Sequence, residues 1–371
     1  MALYYSDSVN VNNYLTWCTN DFYIYSNYYT GHWSGGTTNY VPIPTNFPYY
    51  SCSFNAANGF WFTNGWTTLK WTNTPTGTNY VVYMGYSFLT NVTFYDWREG
   101  FHMGSGPPKT VQAVQMDLQA FNRWLTNPNI NGGSNYNHLC NLTTHKSHPV
   151  DSIYVYNAVP LTSTVLPAVR LVNGLRMPPA DDPWGFTMAT AMPAYVWGDY
   201  NASNSSGSAL SQNNCLHTEP AAIMADAISI LSDNWSDANS VAADRSTDTS
   251  GGPSASTTTI NAACLEGIVE SNTNNPYSEN SSDGYSGGVE NFLRLLENWN
   301  PGSGKQTLYY NGSIIVMFPS QYATNCWQQT GYYYGAPNRS WAFDTNFFIG
   351  ADLPPLTPKS YGVIRSTWGV N

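Results

Sequence analysis

The stretch from Asp151 to Asn201 constrains the fold more than any other part of this 371-residue chain. It holds four strand-sized apolar runs: Ile153–Tyr156, Val169–Val172, Phe186–Ala189 and Tyr195–Trp197. Each is closed by Asn, Gly or Pro, or by a Pro shortly afterwards. Side chains alternate faces along a strand, so runs this short and this regularly punctuated suit small strands stacked face to face. They recur at about 10 to 17 residues, which fits the coils of a β-solenoid as well as it fits hairpins.

The same style returns downstream. Thr258–Ser271 reads as strand and turn, and Thr307–Ser320 as two strands joined at Asn311–Gly312. Pro220–Trp235 suits either a helix or a buried rung, because its apolar residues alternate with small ones. Residues 1–93 form an aromatic, turn-rich β region with strands expected at Asp21–Tyr25, Gly59–Thr63, Trp66–Trp71, Asn79–Met84 and Val92–Asp96. Residues 94–371 form the β-solenoid-like domain. Two helices are expected to dock on it. One spans about 110–126, from the spacing of Val111, Val114, Leu118, Phe121, Trp124 and Leu125. The other spans about 288–299, from Val289, Phe292, Leu293, Leu295, Leu296 and Trp299. A further strand is expected at Tyr361–Trp368.

Composition narrows the function classes. Charged residues are 10% of the chain, against roughly a quarter in ordinary soluble proteins, so solubility must rest on amides and hydroxyls. Aromatics at 15% argue against disorder and, with the neutral polar surface, give the profile of a secreted or cell-surface β protein. A net charge of −10 with only 13 scattered Lys and Arg excludes the phosphate neutralisation that nucleic-acid binding needs, and disfavours an anionic membrane surface. No run of 18 apolar residues is available to span a bilayer. The first residues carry neither a basic nor an apolar leader region, so an export leader or upstream segment is expected to lie outside this chain. Six cysteines, Cys18, Cys52, Cys140, Cys215, Cys264 and Cys326, form no CxxC pair; their even count and wide spacing lead us to expect one or more disulfides.

Candidate chemistry is sparse. Asp96, Arg98 and Glu99 are unusually dense charge for this chain, and read either as a carboxylate site or, preferably, as a salt-bridged clasp between domain and helix. His138, His145 and His148 with Cys140 invite a metal reading, but their spacing matches no zinc pattern, and a solvated loop is preferred. Asp226 and Asp233 are catalytic candidates only by elimination. Glu290 and Glu297, seven apart on the expected second helix, read as surface charges beside Arg294. For a carbohydrate-active enzyme on a β-helix scaffold the candidates are Asp96, Glu99, Asp181, Asp182 and Asp199. Asp181–Asp182 also suits a turn, and Asp199 a strand end. No GxSxG elbow occurs. No catalytic, cofactor or metal residue is therefore assigned.

Several phrases carry a family resemblance. FYDWREG (94–100), KTVQAVQMDLQAFNRWL (109–125), AVRLVNG (168–174), AYVWGDYNA (194–202), PAAIMADAISILSDNW (220–235), YSGGVENFLRLLENW (285–299), TLYYNGSIIVMFPSQYAT (307–324), RSWAFDTNF (339–347) and LPPLTP (353–358) follow one another in order. Together they resemble the C-terminal region of large, mostly uncharacterised exported bacterial proteins of the PilX-like, pilus-assembly-associated kind. The likeness covers about residues 94–368 and omits 1–93. It implies a place in the bacterial envelope or its surface appendages, and brings no catalytic residue. Typical members carry an N-terminal membrane or prepilin-like segment that is not seen here. The expectation is a non-enzymatic extracellular structural protein, a homo-oligomeric subunit of a pilus-like filament or layer whose partners are copies of itself. The alternative is a glycan-binding adhesin, or a carbohydrate-active enzyme.

Overall fold

The computed structural model describes residues 88–100, 107–126, 151–178, 185–204, 207–210, 214–215, 218–240, 254–270, 288, 291–302, 304–325 and 334–357. It adds the backbone of seven strands before residue 85, and for residues 123–126 it gives the backbone alone. The fold is mainly β. Two sheets face each other, and the chain crosses from one to the other after almost every strand.

The first sheet, sheet I, contains β8 (Leu89–Asp96), β9 (Lys109–Asp117), β11 (Val165–Val172), β13 (Ala194–Trp197), β15 (Ile228–Leu231) and β17 (Arg294–Leu295), in that spatial order. The second, sheet II, contains β10 (Ser152–Val155), β12 (Phe186–Ala189), β14 (Ala221–Ala225), β16 (Thr258–Ile268), β18 (Thr307–Pro319) and β19 (Asn338–Phe343). All these neighbours pair in parallel except β8, which lies antiparallel beside β9. Three N-terminal strands, β1 (Ala2–Tyr5), β2 (Tyr14–Cys18) and β3 (Asp21–Tyr25), continue sheet II antiparallel beyond β10. β4 (Ser53–Asn55) pairs with β5 (Phe60–Phe62), and β6 (Thr67–Asn73) with β7 (Thr78–Met84).

Parallel strands covered on both faces read as continuous apolar runs, which is what VLPAVRLV and ISIL are. The inward rows are Val169, Ala194 and Ile228 from sheet I, and Ile153, Met188, Ile223, Cys264 and Ile314 from sheet II; they meet in one core. Buried polar residues link neighbouring segments of sheet II. Asn201, Asn261 and Asn311 are buried one above another. Asn261 Nδ2 donates to the Asn201 carbonyl (2.9 Å), Asn201 Nδ2 donates to the Asn261 carbonyl (2.9 Å), and Asn311 Nδ2 donates to Asn261 Oδ1 (2.7 Å). Each amide thus satisfies a neighbouring segment in a dry interior, where an unpaired group would cost about 1–3 kcal/mol.

Several expectations need correction. The helix expected at 110–126 is strand β9 followed by helix α1 (Leu118–Thr126), with Asp117 Oδ1 accepting the Ala120 N–H (2.7 Å) at its start. Leu118 and Phe121 enter the core, Phe121 edge-on to Phe88 at 5.0 Å. No α-helix forms at 288–299 among the described residues; beyond the 3-10 turn at Gly288 the segment is irregular around β17, with Leu293 at φ 51°. Of the two readings of Pro220–Trp235 the extended one holds, since the segment carries strands β14 and β15. The pair of strands expected at Thr307–Ser320 is the single strand β18. A Cβ on Gly312 would lie 1.9 Å from the Ala262 carbonyl oxygen, so this glycine serves close backbone approach and not a turn. The only other described α-helix is the short α2 (Asp237–Ser240). Tyr361–Trp368 lies outside the described residues.

Candidate functional site

The charged phrase after β8 builds a clasp. Asp96 Oδ1 accepts the N–H groups of Arg98 (2.8 Å) and Glu99 (3.3 Å), so the carboxylate folds its own turn. Its Oδ2 accepts the Tyr195 hydroxyl at 2.5 Å, and Glu99 pairs with Arg294 at 2.9 Å. Glu99 also accepts the Asn325 N–H, while Arg294 donates to the Ala323 carbonyl. Asp96, Arg98 and Glu99 are 2%, 1% and 1% exposed, so this cluster faces protein and not solvent. Burial pushes the Glu99 carboxyl up to about 7 despite the pull of Arg294, and pushes the Tyr195 phenol well above its usual range. The expected clasp exists, but its partners are β13, β17 and the segment after β18, not a helix.

Other candidate carboxylates also serve the backbone. Asp226, in the tight turn between β14 and β15, accepts the N–H groups of Gln321 (2.5 Å), Tyr322 (3.1 Å) and Ala323 (2.7 Å). Glu297 is fully buried and takes both the N–H (2.6 Å) and the hydroxyl (2.7 Å) of Ser232, so it is not a helix-surface charge. Glu266 was not a candidate. It sits on the core face of β16, accepts the N–H groups of Ile228 (2.8 Å) and Leu293 (3.3 Å), and is raised to about 7 by burial. Asp181, Asp182, Glu290, His138, His145 and His148 with Cys140 lie outside the described residues. Cys215 and Cys264 are free thiols, and burial raises both above the usual thiol range. The disulfide expectation rests on the other four cysteines, whose side chains are not described. Among the described residues no three metal-ligating side chains gather, and no helix is long and apolar enough to cross a membrane.

An open groove lies at one end of sheet I. The register brings the C-terminal ends of four strands level: Val172 pairs with Asp117 and with Trp197, and Trp197 with Leu231. Beyond those ends lies a groove of about 540 Å³ walled by Asp117, Asn173, Leu175, Trp197, Asp199 and Asp233. Asp117 is already engaged, since its Oδ2 accepts the Asn173 side-chain amide at 2.8 Å. Asp199 Oδ1 accepts the Thr259 N–H at 2.7 Å; partial burial raises its carboxyl, and the neighbouring Asp233 charge adds to the effect. Asp233 is exposed. Trp197 is half-buried, with the Arg170 guanidinium stacked 4.8 Å from its ring centroid. Arg170 is itself held by Gln115 (2.8 Å) and by both oxygens of Asp237 (2.6 and 3.0 Å). Of these walls only Asp199 and Asp233 were sequence candidates. Asp117 and Trp197 were missed; for Asp117 the visible signal was an acidic or amide residue at or within two positions of the ends of β9, β11, β13 and β15 (Asp117, Asn173, Asp199 and Asp233).

A second open surface lies on the outer face of sheet II. Tyr154, Ala189, Met224, Leu265 and Ile315 are register partners and form an apolar row across five strands. Phe347, from the segment after β19, packs like Met224 against the cluster of Ala222, Ala263 and Leu265 at its middle. The row's ends are open, with Tyr154 at 37% and Ile315 at 41% exposure. Further along β18, Val316, Met317 and Phe318 are also exposed; Val316 pairs with Glu266 and so lies on the opposite face from Ile315. β19 pairs only with Thr307–Gly312, which leaves this half of β18 without a strand on its second edge among the described residues.

The chain matches no protein-family model, no curated protein and no solved structure.

Proposed function

We propose that this chain is a non-enzymatic extracellular structural protein on a β-solenoid frame, a self-assembling subunit of a bacterial surface appendage, filament or layer. The solenoid reading is supported by the alternation between sheets. From β11 to β18 every strand pairs in parallel with the strand two positions before it, and the asparagine ladder joins successive coils.

The assembly reading rests on one observation, the apolar row on the outer face of sheet II with its open end at Ile315. Contiguous exposed apolar surface of this kind marks an interaction site. A flat sheet face is best covered by another flat apolar face, and a second copy carries one. Low overall charge suits such an interface, because interface cores are depleted in ions. Sedimentation velocity over a wide concentration range tests the reading. Mass should grow with concentration for the natural chain and stay at one subunit for Ile315→Lys. A natural chain that sediments as a single subunit at every concentration would refute it.

A further inference from the structure

The groove on sheet I offers a function that assembly does not use. Its chemistry is mixed. Leu175, Val172 and the indole of Trp197 supply apolar wall, while Asp199 and Asp233 supply acceptors. Among the described residues, the second oxygen of Asp199, the Asp233 carboxylate and the Trp197 indole N–H take part in no protein hydrogen bond. Hydrogen-bonding capacity left unspent on a concave wall beside an aromatic ring is the pattern of a ligand site, where a few placed polar groups orient a mainly apolar contact.

The same residues exclude several ligand classes. A metal ion is disfavoured because no three ligating side chains gather. Anions, including uronate or sulfate sugars and nucleic acid, meet carboxylates; the nearest guanidinium, Arg170, is already spent on Asp237 and Gln115. A basic peptide would require ion pairs, yet both oxygens of Asp117 already accept from Ala120 and Asn173, and Asp199 lies in a site that disfavours its charge. A neutral polyol presents what the groove lacks: hydroxyl donors for the carboxylates, an acceptor for the indole N–H, and C–H faces for the ring.

We propose that this groove binds a segment of neutral, hydroxyl-rich polysaccharide, with Trp197 as its stacking wall and Asp199 and Asp233 as acceptors for sugar hydroxyls. The proposal does not depend on the assembly reading, because the groove lies at strand ends of sheet I and the apolar row on the outer face of sheet II.

Affinity electrophoresis of the full chain tests it, in gels cast with neutral polymers (mixed-linkage β-glucan, hydroxyethylcellulose, mannan, dextran) or with polygalacturonate and alginate. At least one neutral polymer should retard the protein, and neither polyanion should. Trp197→Ala should weaken retardation about tenfold, the loss usual for a buried aromatic anchor, and Trp197→Phe should keep part of it. Because Trp197 also stacks on Arg170, the exposed Asp233→Asn is the fold-neutral variant, and it should weaken binding several-fold. The proposal fails if no neutral polymer retards the protein, if Asp233→Asn binds as well as the natural chain, or if a polyanion or oligolysine binds more tightly than every neutral polymer.

Discussion

The outer faces of the two sheets receive opposite treatment. Over sheet I the turn after β8 lies as a strap, tied by Asp96 to Tyr195 and by Glu99 to Arg294, with Phe94 and Trp235 packed beneath it. The face is closed, and charges are buried to close it. Among the described residues sheet II has one short cover, the segment around Phe347 and Pro355, which leaves Tyr154, Ile315 and Met317 exposed. A chain that can build the first face has the means to build the second. We read the open face as reserved for a partner, and the closed one as what fastens the strands of sheet I to the segments that cover them.

The comparison can be broken most severely on the closed side. Arg294→Met removes the counter-ion of a buried carboxylate, and should cost about 3–5 kcal/mol in chemical denaturation. If the loss were no larger than that of a surface substitution, the strap would not be a fastener. Within the shared core, Asn261→Ala strips partners from both Asn201 and Asn311 and should cost about 2–4 kcal/mol, read as a fall in denaturation midpoint without loss of β signal.

Proton linkage sharpens the same contrast. Glu99 and Glu266 rise from 4.5 to about 7 in the folded chain because burial disfavours their charge. Between those values the native state binds more protons than the unfolded one. Their stabilising contribution is therefore full below about 4.5 and is lost as the pH rises through about 7, on the order of 3 kcal/mol for such a shift. Denaturation curves from pH 5 to pH 8 should show stability falling, and Glu266→Gln should flatten the slope. The smallest effect belongs to the open face. Met317→Lys, on a side chain 54% exposed, should change stability by less than about 0.5 kcal/mol while abolishing association.

The rungs of this fold were legible because VLPAVRLV, FTMA and AYVW are apolar and punctuated by turn residues. Misreadings arose where both faces of a segment are buried. Around β17, Leu293 and Leu295 point into the core while Arg294 and Leu296 face the strap; with apolar residues on both sides, the period of two is hidden and a helical spacing emerges. β9 was lost to the same confusion, since Val111 and Ala113 face one cluster and Val114 and Met116 the other. Asn311–Gly312 carries turn chemistry but sits mid-strand, because the Asn is a ladder rung and the Gly clears the Ala262 carbonyl. Of the groove, Asp199 could be suspected from WGDYN. Its meeting with Asp117, Trp197 and Asp233 depends on parallel register between strands up to 116 residues apart, which no local pattern encodes.

The most direct test is electron microscopy of the purified chain beside native surface material, repeated with Ile315→Lys. The account predicts filaments or ordered arrays from the natural chain and dispersed particles from the variant. Dispersed single subunits from both, with no ordered material on the native surface, would contradict it.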